Sequence, residues 1–342
     1  MTTPTHQPAT EPVVEVTGLS RTFDVSKPWL NRVLERSPRA LLRAAKDISF
    51  SISKGETFAL VGESGSGKST VAKMVVGLLE ASAGEIRIDG VDMRSRQQAG
   101  VEMRELRRRI QMIFQDPYAS LNPRWRVDRI ISEPIRAFRM ESSEAAISKR
   151  VGELLELVRL HPRDGGKYPH EFSGGQRQRI CIARALASKP EFLVCDEPTS
   201  ALDVSVQAQI LNLMRDLQDE FGLTYLFISH DLAVVRHMAK RIGVMYLGRL
   251  VEVAESRTLF KTPKHPYTRM LLEAIPDLEM TGKPRRPVEG EIPNPINPPS
   301  GCAFHPRCPL ANDRCSREFP QFRQVGDTGV ACHAVEEGRT TV

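Results

Sequence analysis

Residues 56–79, ETFALVGESGSGKSTVAKMVVGLL, decide the fold of this 342-residue chain. Their apolar beginning predicts a buried strand, their glycine-rich middle predicts a turn, and their periodic end predicts a helix. The turn matches the pattern G-x-x-x-x-G-K-S, in which backbone N–H groups and the positive end of a helix dipole bind phosphate. The predicted phosphate-contacting residues are Gly62, Glu63, Ser64, Gly65, Ser66, Gly67, Lys68, Ser69 and Thr70.

Two side chains of this loop carry distinct chemistry, and a second motif complements them. Lys68 supplies a point charge for the outer phosphates, and the hydroxyl of Ser69 can bind Mg²⁺. The run FLVCDE at 192–197 is an apolar strand that ends in two acids. Asp196 is placed to hold the metal ion, and Glu197 to orient or deprotonate an attacking water. Together the motifs predict a nucleotide hydrolase.

The pattern along the rest of the chain predicts a parallel α/β sheet. Apolar residues alternate over 13–23 and 48–52, as in strands with one buried face. Short β-rich runs at 191–196 and 223–229 flank a helical segment, and alternating strands and helices are typical of parallel sheets. Helical spacing dominates residues 118–178, where we expect a helical insertion.

Three further segments stand out by composition. Residues 1–12 are polar and proline-rich, which predicts a flexible tail. Residues 31–46 hold five basic residues and one acid, which we interpret as a solvated loop or short helix in preference to a membrane contact. Prolines become frequent after about residue 255, which predicts a linker and a small irregular appendage.

Charge and hydropathy restrict the function without choosing it. Forty-eight Lys and Arg against 42 Asp and Glu give a net charge of +6 and a pI near 9.1, which suits nucleic acid, anionic lipid or phosphorylated ligands. No apolar run approaches the roughly 18 residues of a membrane span, and the amino terminus lacks the features of a secretory signal. We therefore expect a cytosolic protein that does not itself cross a bilayer.

The segment FSGGQRQR at 172–179, just before the acidic strand, resembles the signature motif of the ATP-binding cassette (ABC) ATPases. Gln115, the SALD segment at 200–203 and His230 are similar to the other motifs of that family. The resemblance covers residues 13–253 and implies an ABC nucleotide-binding domain: a P-loop α/β fold with a helical subdomain at about 118–178. Residues 254–342 then form a small cysteine-containing carboxy-terminal extension.

The resemblance also implies a role for each motif. Gln115 would contact Mg²⁺, with Ser69 and Asp196, and would couple the nucleotide to the helical insertion, and His230 would contact the γ-phosphate. Phe23 would stack on adenine, although a place in the core is an equal alternative. The predicted contacts across a cassette dimer, to ATP bound by the partner subunit, are Ser173, Gly174, Gly175, Gln176 and Asp203.

Two regions narrow the resemblance. Residues 106–124, LRRRIQMIFQDPYASLNPR, and the tail with HPYTRMLLEAIP and GCAFHPRCP resemble the ATPase subunits of bacterial dipeptide, oligopeptide and nickel importers. This implies an ATPase that powers import of short peptides from the cytoplasmic face of the inner membrane. Its partners would be a second homologous ATPase, two membrane permeases and an extracytoplasmic binding protein, with no nucleic acid. Import of nickel or another solute remains open, and a soluble nucleic-acid-associated ABC ATPase is supported by basic charge alone.

Four cysteines fall in the proline-rich tail: Cys302, Cys308, Cys315 and Cys332. Their spacings, with 5, 6 and 16 intervening residues, match neither a zinc ribbon nor a ferredoxin. Cysteines in a core-poor stretch of a reduced compartment predict a stabilising metal. The related importer ATPases imply a [4Fe–4S] cluster. Zinc, with His305 and His333 as possible ligands, and free structural thiols remain open.

Overall fold

A computed structural model describes residues 12–35, 38–93, 101–275 and 290–340. Of the predicted amino-terminal tail, only Pro12 lies within these ranges. The strands are β1 (Pro12–Asp24), β2 (Leu41–Ser53), β3 (Thr57–Val61), β4 (Ala83–Ile88), β5 (Val91–Asp92), β6 (Ile110–Ile113), β7 (Phe192–Asp196), β8 (Thr224–Ile228), β9 (Arg241–Tyr246), β10 (Arg249–Glu255), β11 (Arg323–Val325) and β12 (Thr328–Val330).

The helices lie between and after these strands. They are α1 (Trp29–Glu35), α2 (Lys68–Val75), α3 (Val101–Arg109), α4 (Pro117–Ser120), α5 (Val127–Ala137), α6 (Glu144–Leu157), α7 (Gly174–Leu186), α8 (Val204–Phe221), α9 (Leu232–Met238), α10 (Ser256–Lys261), α11 (Pro266–Glu273), α12 (Asp313–Arg317) and α13 (His333–Glu336). In the described ranges, none of these helices is both long and apolar enough to span a bilayer.

The central sheet has the strand order β11-β12-β10-β9-β3-β8-β7-β6. The five strands from β9 to β6 pair in parallel, as predicted. All residues of β3, β7 and β8 are buried. Helices pack on one face of these strands, and α2 together with a second, antiparallel sheet packs on the other. Since parallel strands end at the same edge, the loops after β3, β7 and β8 meet there, and these loops carry the predicted motifs.

The carboxy-terminal appendage departs from the prediction of an irregular tail. β12 pairs antiparallel with β10, and β11 pairs antiparallel with β12, so the appendage extends the central sheet at one edge. Strands of only three residues carry a weak sequence pattern, and prolines nearby obscure it. The appendage is therefore anchored to the nucleotide-binding part by backbone hydrogen bonds.

A second, antiparallel sheet has the order β2-β1-β4-β5. The first half of the basic segment at 31–46 lies in the short helix α1, which agrees with the short helix predicted there as an alternative to a loop. Its second half is instead extended: Leu41 pairs with Asp24 and Leu42 with Phe23, so β1 and β2 form one long hairpin. The strand signal was missed because cross-strand pairing, which the local sequence does not show, decides β structure.

The predicted helical insertion is helical in the structure. Helices α4 to α7 lie between β6 and β7 and share a buried core that includes Val127, Ile131, Leu154 and Ile180. Ser143 caps α6: its side chain accepts a hydrogen bond from the N–H of Ala146. Gln115 lies in the short link between β6 and α4.

Candidate nucleotide-binding and hydrolysis site

The phosphate loop joins β3 to α2 and depends on glycines at two close approaches. Gly62 and Gly67 have φ of 150° and 101°, a range that disfavours other residues. A Cβ on Gly62 would lie 2.2 Å from the carbonyl oxygen of Met245, and one on Gly67 would lie 2.0 Å from that of Ala44. Backbone from β9 and β2 therefore clamps the loop, and only glycine fits.

Lys68 is buried at the start of α2. Its Nζ donates hydrogen bonds to the carbonyl oxygens of Gly62, at 2.8 Å, and Glu63, at 3.0 Å. Burial lowers the pKa of Lys68, while the carboxylates of Glu197, Asp196 and Glu63 oppose that shift. The ammonium group is thus fixed inside the loop curl, where it can neutralise phosphate charge.

Ser69 and Asp196 connect the phosphate loop to the acidic strand. The Ser69 hydroxyl donates to Oδ1 of Asp196 at 2.9 Å. Burial raises the pKa of Asp196, and the Ser69 hydrogen bond partly opposes this rise. A hydroxyl and a carboxylate at this separation form a set of oxygen donors that suits Mg²⁺.

Glu197 is the meeting point of three separated segments. Its φ of 47° is in the left-handed region, and its N–H donates to the carbonyl of Ile228 at 3.0 Å, which holds it against β8. Oε2 of Glu197 accepts from Nε2 of Gln115 at 3.0 Å and lies 3.1 Å from Nδ1 of His230. The structure therefore brings together all three residues predicted to act in hydrolysis.

A groove of about 870 Å³ runs over the phosphate loop. Phe23 lines it, with the guanidinium of Arg21 stacked 4.7 Å from the ring centroid. Several other lining residues belong to no nucleotide-binding motif, because folding alone brings them to the groove. They are Leu42, Arg43, Ala44, Leu232, Leu247, Leu271, Ile292 and Pro295.

The SGGQ segment lies elsewhere. Ser173 caps α7: its hydroxyl accepts from the N–H of Gln176, and its own N–H donates to Oε1 of Gln176. Both side chains are exposed, and neither lines the groove among the residues described. A Cβ on Gly175 would lie 2.4 Å from Cγ1 of Val206, so this glycine lets α7 approach α8.

Asp203 is exposed and caps α8 by accepting from the N–H of Val206 at 2.9 Å. Its side chain therefore has a local structural role in the single chain. Asp203 lies near the SGGQ segment, because its neighbours in sequence approach that segment. Leu202 lies against Gly174, and Val206 lies against Gly175.

Sequence comparison gives the family. The family profile described as "ABC transporter" matches residues 45–200, and "Oligopeptide/dipeptide transporter, C-terminal region" matches residues 251–315. A putative oligopeptide transport ATP-binding protein of Bacillus subtilis, YkfD, is 48% identical over 96% of this chain and 97% of its own. This chain is a member of the ABC transporter family.

Other relatives and solved structures agree. A putative peptide import ATP-binding protein of Brucella abortus is 50% identical over 94% of each chain. The dimeric ATP-binding cassette MJ0796, bound to ADP and Pi, has a TM-score of 0.61 and 29% identity, covering 71% of this chain and 99% of its own. CbiO1 from Clostridium perfringens, part of the ABC transporter complex cbiONQ, has a TM-score of 0.60 and 29% identity, covering 73% and 91%. The ABC ATPase fold predicted from the sequence is thereby confirmed.

The four tail cysteines of this ABC protein lie close enough to influence one another. Burial raises the pKa of Cys302 to about 12, and Cys332, Cys315 and Cys308 add to that rise through their charges. Within the described ranges, no three His, Cys, Asp or Glu side chains are grouped tightly enough to hold a single metal ion. His305 and His333 instead face the backbone carbonyls of Cys302 and Glu318. The described side chains therefore form no closed metal site in this structure, either for zinc or for a cluster.

A buried polar network around His265 and Glu252 also matches none of the predicted motifs. Nδ1 of His265 accepts from the N–H of Tyr267 at 3.0 Å and so caps α11, and the carboxylate of Glu252 accepts from the N–H groups of Lys264 and His265. His265 is fully buried, which lowers its pKa to about 3. The HPY run of the sequence is thus a cap that orients Tyr267.

We expect the stability of the protein to depend on pH through His265. The folded pKa lies near 3 and the unfolded pKa near 6.5, so the stabilisation is fully present above about pH 6.5 and is lost as the pH falls toward 3. Between pH 7.5 and 5.5 the native chain should lose about 1.4 kcal/mol more of its free energy of unfolding than His265→Asn, which keeps a capping side chain.

Urea unfolding at the two pH values measures this difference, because all other titrating groups are common to both proteins. His170→Asn is the matched control, since His170 is exposed. Equal pH dependence in the native chain and His265→Asn would show that His265 is not held neutral by burial.

Proposed function

We propose that this chain is the ATPase subunit that powers import of short peptides through a membrane ABC transporter. One observation carries the catalytic part: Gln115 and His230 converge on Oε2 of Glu197, beside the loop that holds Lys68. The cargo is supported by relatives of matching length whose names specify peptide or oligopeptide transport.

The roles of the loop residues follow from their geometry. The backbone N–H groups of residues 62–69 and the start of α2 would bind the β- and γ-phosphates of ATP, and Lys68 would neutralise the outer ones. Phe23, which lines the groove, would contact adenine. The clamp of the loop by neighbouring backbone means that little ordering is required when ATP binds.

Hydrolysis requires a positioned water and stabilised charge. Glu197 would accept a proton from the attacking water or orient it in line with the γ-phosphate, while His230 would donate a hydrogen bond to that phosphate. Mg²⁺ held by Ser69, Asp196 and Gln115 would neutralise charge on the phosphate oxygens. Gln115 and His230 both contact one carboxylate oxygen of Glu197. A change in the protonation or position of that carboxylate would therefore affect both side chains.

A second cassette would complete each site. Ser173 and Gln176 are exposed at the start of α7, and among the described residues neither they nor Gly174 and Gly175 line the chain's own groove. In the proposed dimer this segment and Asp203 face ATP bound by the partner subunit, so two ATP molecules lie between two subunits. The dimeric relative of known structure is consistent with this arrangement.

The membrane subunits would dock on the helical insertion. β6 ends beside Gln115, and α4 to α7 follow directly, so closure of the dimer around ATP can move these helices. We propose that two permeases bind there from the inner membrane, with an extracytoplasmic protein delivering the peptide. The chain would act at the cytoplasmic face as a peripheral subunit.

Lys68→Ala and Glu197→Gln should separate binding from hydrolysis. Lys68→Ala loses the charge beside the phosphates, so ATP affinity should fall by about 2 kcal/mol, or about thirtyfold. Glu197→Gln keeps shape and binding but removes the base, so turnover should fall by a factor of about 10² to 10⁴ with ATP still bound. Fluorescent-nucleotide titration and phosphate release on the assembled complex measure the two effects.

Lys73→Ala, in the same helix α2, is the matched control for Lys68→Ala. Glu191→Gln, immediately before β7, is the matched control for Glu197→Gln. Neither residue lines the groove. Normal steady-state turnover by Glu197→Gln would contradict its assignment as the base.

The transport proposal predicts which proteins accompany the chain. Purified in mild detergent from its native membranes, the tagged chain should bring a homologous ATPase, two multi-span proteins and a solute-binding protein, identified by mass spectrometry. Short peptides, and not nickel ions, should stimulate ATP hydrolysis of this complex in the presence of its binding protein. Recovery of nucleic acid without membrane proteins would overturn the transport proposal and leave the ATPase intact.

We also propose that the four tail cysteines hold a [4Fe–4S] cluster. The support is chemical: four thiols within mutual electrostatic range, in a segment with a small hydrophobic core of its own, match the ligand preference of iron–sulfur clusters. Cys302, Cys308, Cys315 and Cys332 would be the ligands, and binding would displace their protons. The cluster would stabilise the tail in place of a larger core.

Anaerobically purified protein should then contain about four iron and four sulfide per chain. Cys308→Ser should lose most of both and lower the melting temperature, because one ligand is gone. Cys181→Ser is the control, since Cys181 lies in α7 and bonds to Ser120. If the native protein holds only traces of iron and sulfide, far below four of each per chain, the cluster is ruled out.

A further inference from the structure

Glu63, the second residue of the phosphate loop, is held at each of its polar groups. Its N–H donates to the hydroxyl of Tyr267 at 3.0 Å, and its carbonyl accepts from Nζ of Lys68 at 3.0 Å. Its carboxylate accepts two hydrogen bonds from Arg307, at 2.8 and 3.0 Å. This is the forked geometry in which arginine binds a carboxylate most strongly.

Two of these three partners come from the carboxy-terminal region. Tyr267 belongs to α11, and Arg307 lies between Cys302 and Cys308. The contact is built into the interior: the Arg307 side chain is 2% exposed, and its Nη1 also donates to the Tyr246 hydroxyl at 3.3 Å. It is therefore a fixed contact and not a mobile surface pair.

Aromatic packing fixes the position of Arg307. The rings of Tyr246, Tyr267 and Phe304 pack together with centroids 4.7 to 5.4 Å apart. All three rings are buried. Since Phe304 is three residues before Arg307, the packing sets where the guanidinium points.

The charge of Glu63 explains why this contact matters to the nucleotide. A carboxylate within a loop that binds polyphosphate repels its ligand unless a cation neutralises it. The side chain of Glu63 is only 18% exposed, so solvent screens that repulsion weakly. Arg307 supplies the neutralising charge from a part of the chain more than two hundred residues away.

We propose that Arg307 is a positioning residue for ATP: it neutralises Glu63, fixes the phosphate loop, and couples ATP affinity to the folding of the cysteine-bearing segment. The proposal rests on the proposed role of residues 62–69 as the ATP site. Coupling between two sites is reciprocal, so ATP must stabilise the segment around Arg307 by the same factor that the segment strengthens ATP binding.

The test uses the full chain and fluorescent-nucleotide titration with competition by ATP. Arg307→Met removes the charge and should weaken ATP binding about tenfold, within the usual range of coupling between sites. Adding Glu63→Gln to Arg307→Met removes the uncompensated carboxylate and should restore much of the lost affinity. Arg314→Met is the matched control, because Arg314 pairs with Glu318, Glu336 and Glu337 inside the same appendage and should leave ATP affinity unchanged.

Amide hydrogen exchange provides a readout that needs no Arg307 variant. Saturating Mg-ATP should slow exchange over residues 302–308 by about threefold or more, with a smaller effect over residues 313–317. The effect should disappear in Glu63→Gln. These results cover the case in which Arg307→Met fails to fold.

Two outcomes would overturn the proposal. One is unchanged ATP affinity in a folded Arg307→Met, and the other is a double variant as weak as the single one together with no exchange effect of ATP. Either result, obtained while Lys68→Ala still abolishes tight binding, removes the role of Arg307 and leaves the ATP site standing. Tight binding by Lys68→Ala would instead refute the site itself.

Discussion

The structure depends on the close approach of two backbone segments to the phosphate loop. The carbonyl oxygen of Met245 lies 2.2 Å from the position of a Cβ on Gly62, and that of Ala44 lies 2.0 Å from the position of a Cβ on Gly67. These segments belong to β9 and β2, one in each sheet, so the loop can form only where the two sheets meet. The other features of the site, including the buried ammonium of Lys68 and the groove above it, depend on this close approach of backbone to the loop.

The parallel order of the central sheet then assembles the chemistry. β3, β7 and β8 end at one edge; Lys68 and His230 follow β3 and β8, and Asp196 is the last residue of β7. Glu197 adopts a φ of 47°, a conformation of higher energy, and its N–H donates a hydrogen bond to the carbonyl of Ile228. Strain at a residue that meets two other functional side chains is typical of a catalytic position.

The carboxy-terminal region is part of this site and not only a neighbour. It contributes Leu271, Ile292 and Pro295 to the groove, and Tyr267 and Arg307 to the phosphate loop. Its strands β11 and β12 lengthen the central sheet. Backbone hydrogen bonds therefore connect the cysteine-bearing segment to the sheet that carries the site. Two relatives whose names specify oligopeptide transport or peptide import match this chain over 94% or more of their length, which includes both regions.

The sequence alone determined the local elements and the chemistry of the motifs. The strand, glycine turn and lysine of residues 56–79, the acids after β7 and the helical insertion were all predictable, because each depends on near neighbours in the chain. Tertiary structure alone decided the extended second half of the basic insertion, the strands of the appendage and the bond between Glu63 and Arg307. These depend on pairing between residues far apart in sequence, and no local pattern records which partner a buried charge or an edge strand will find.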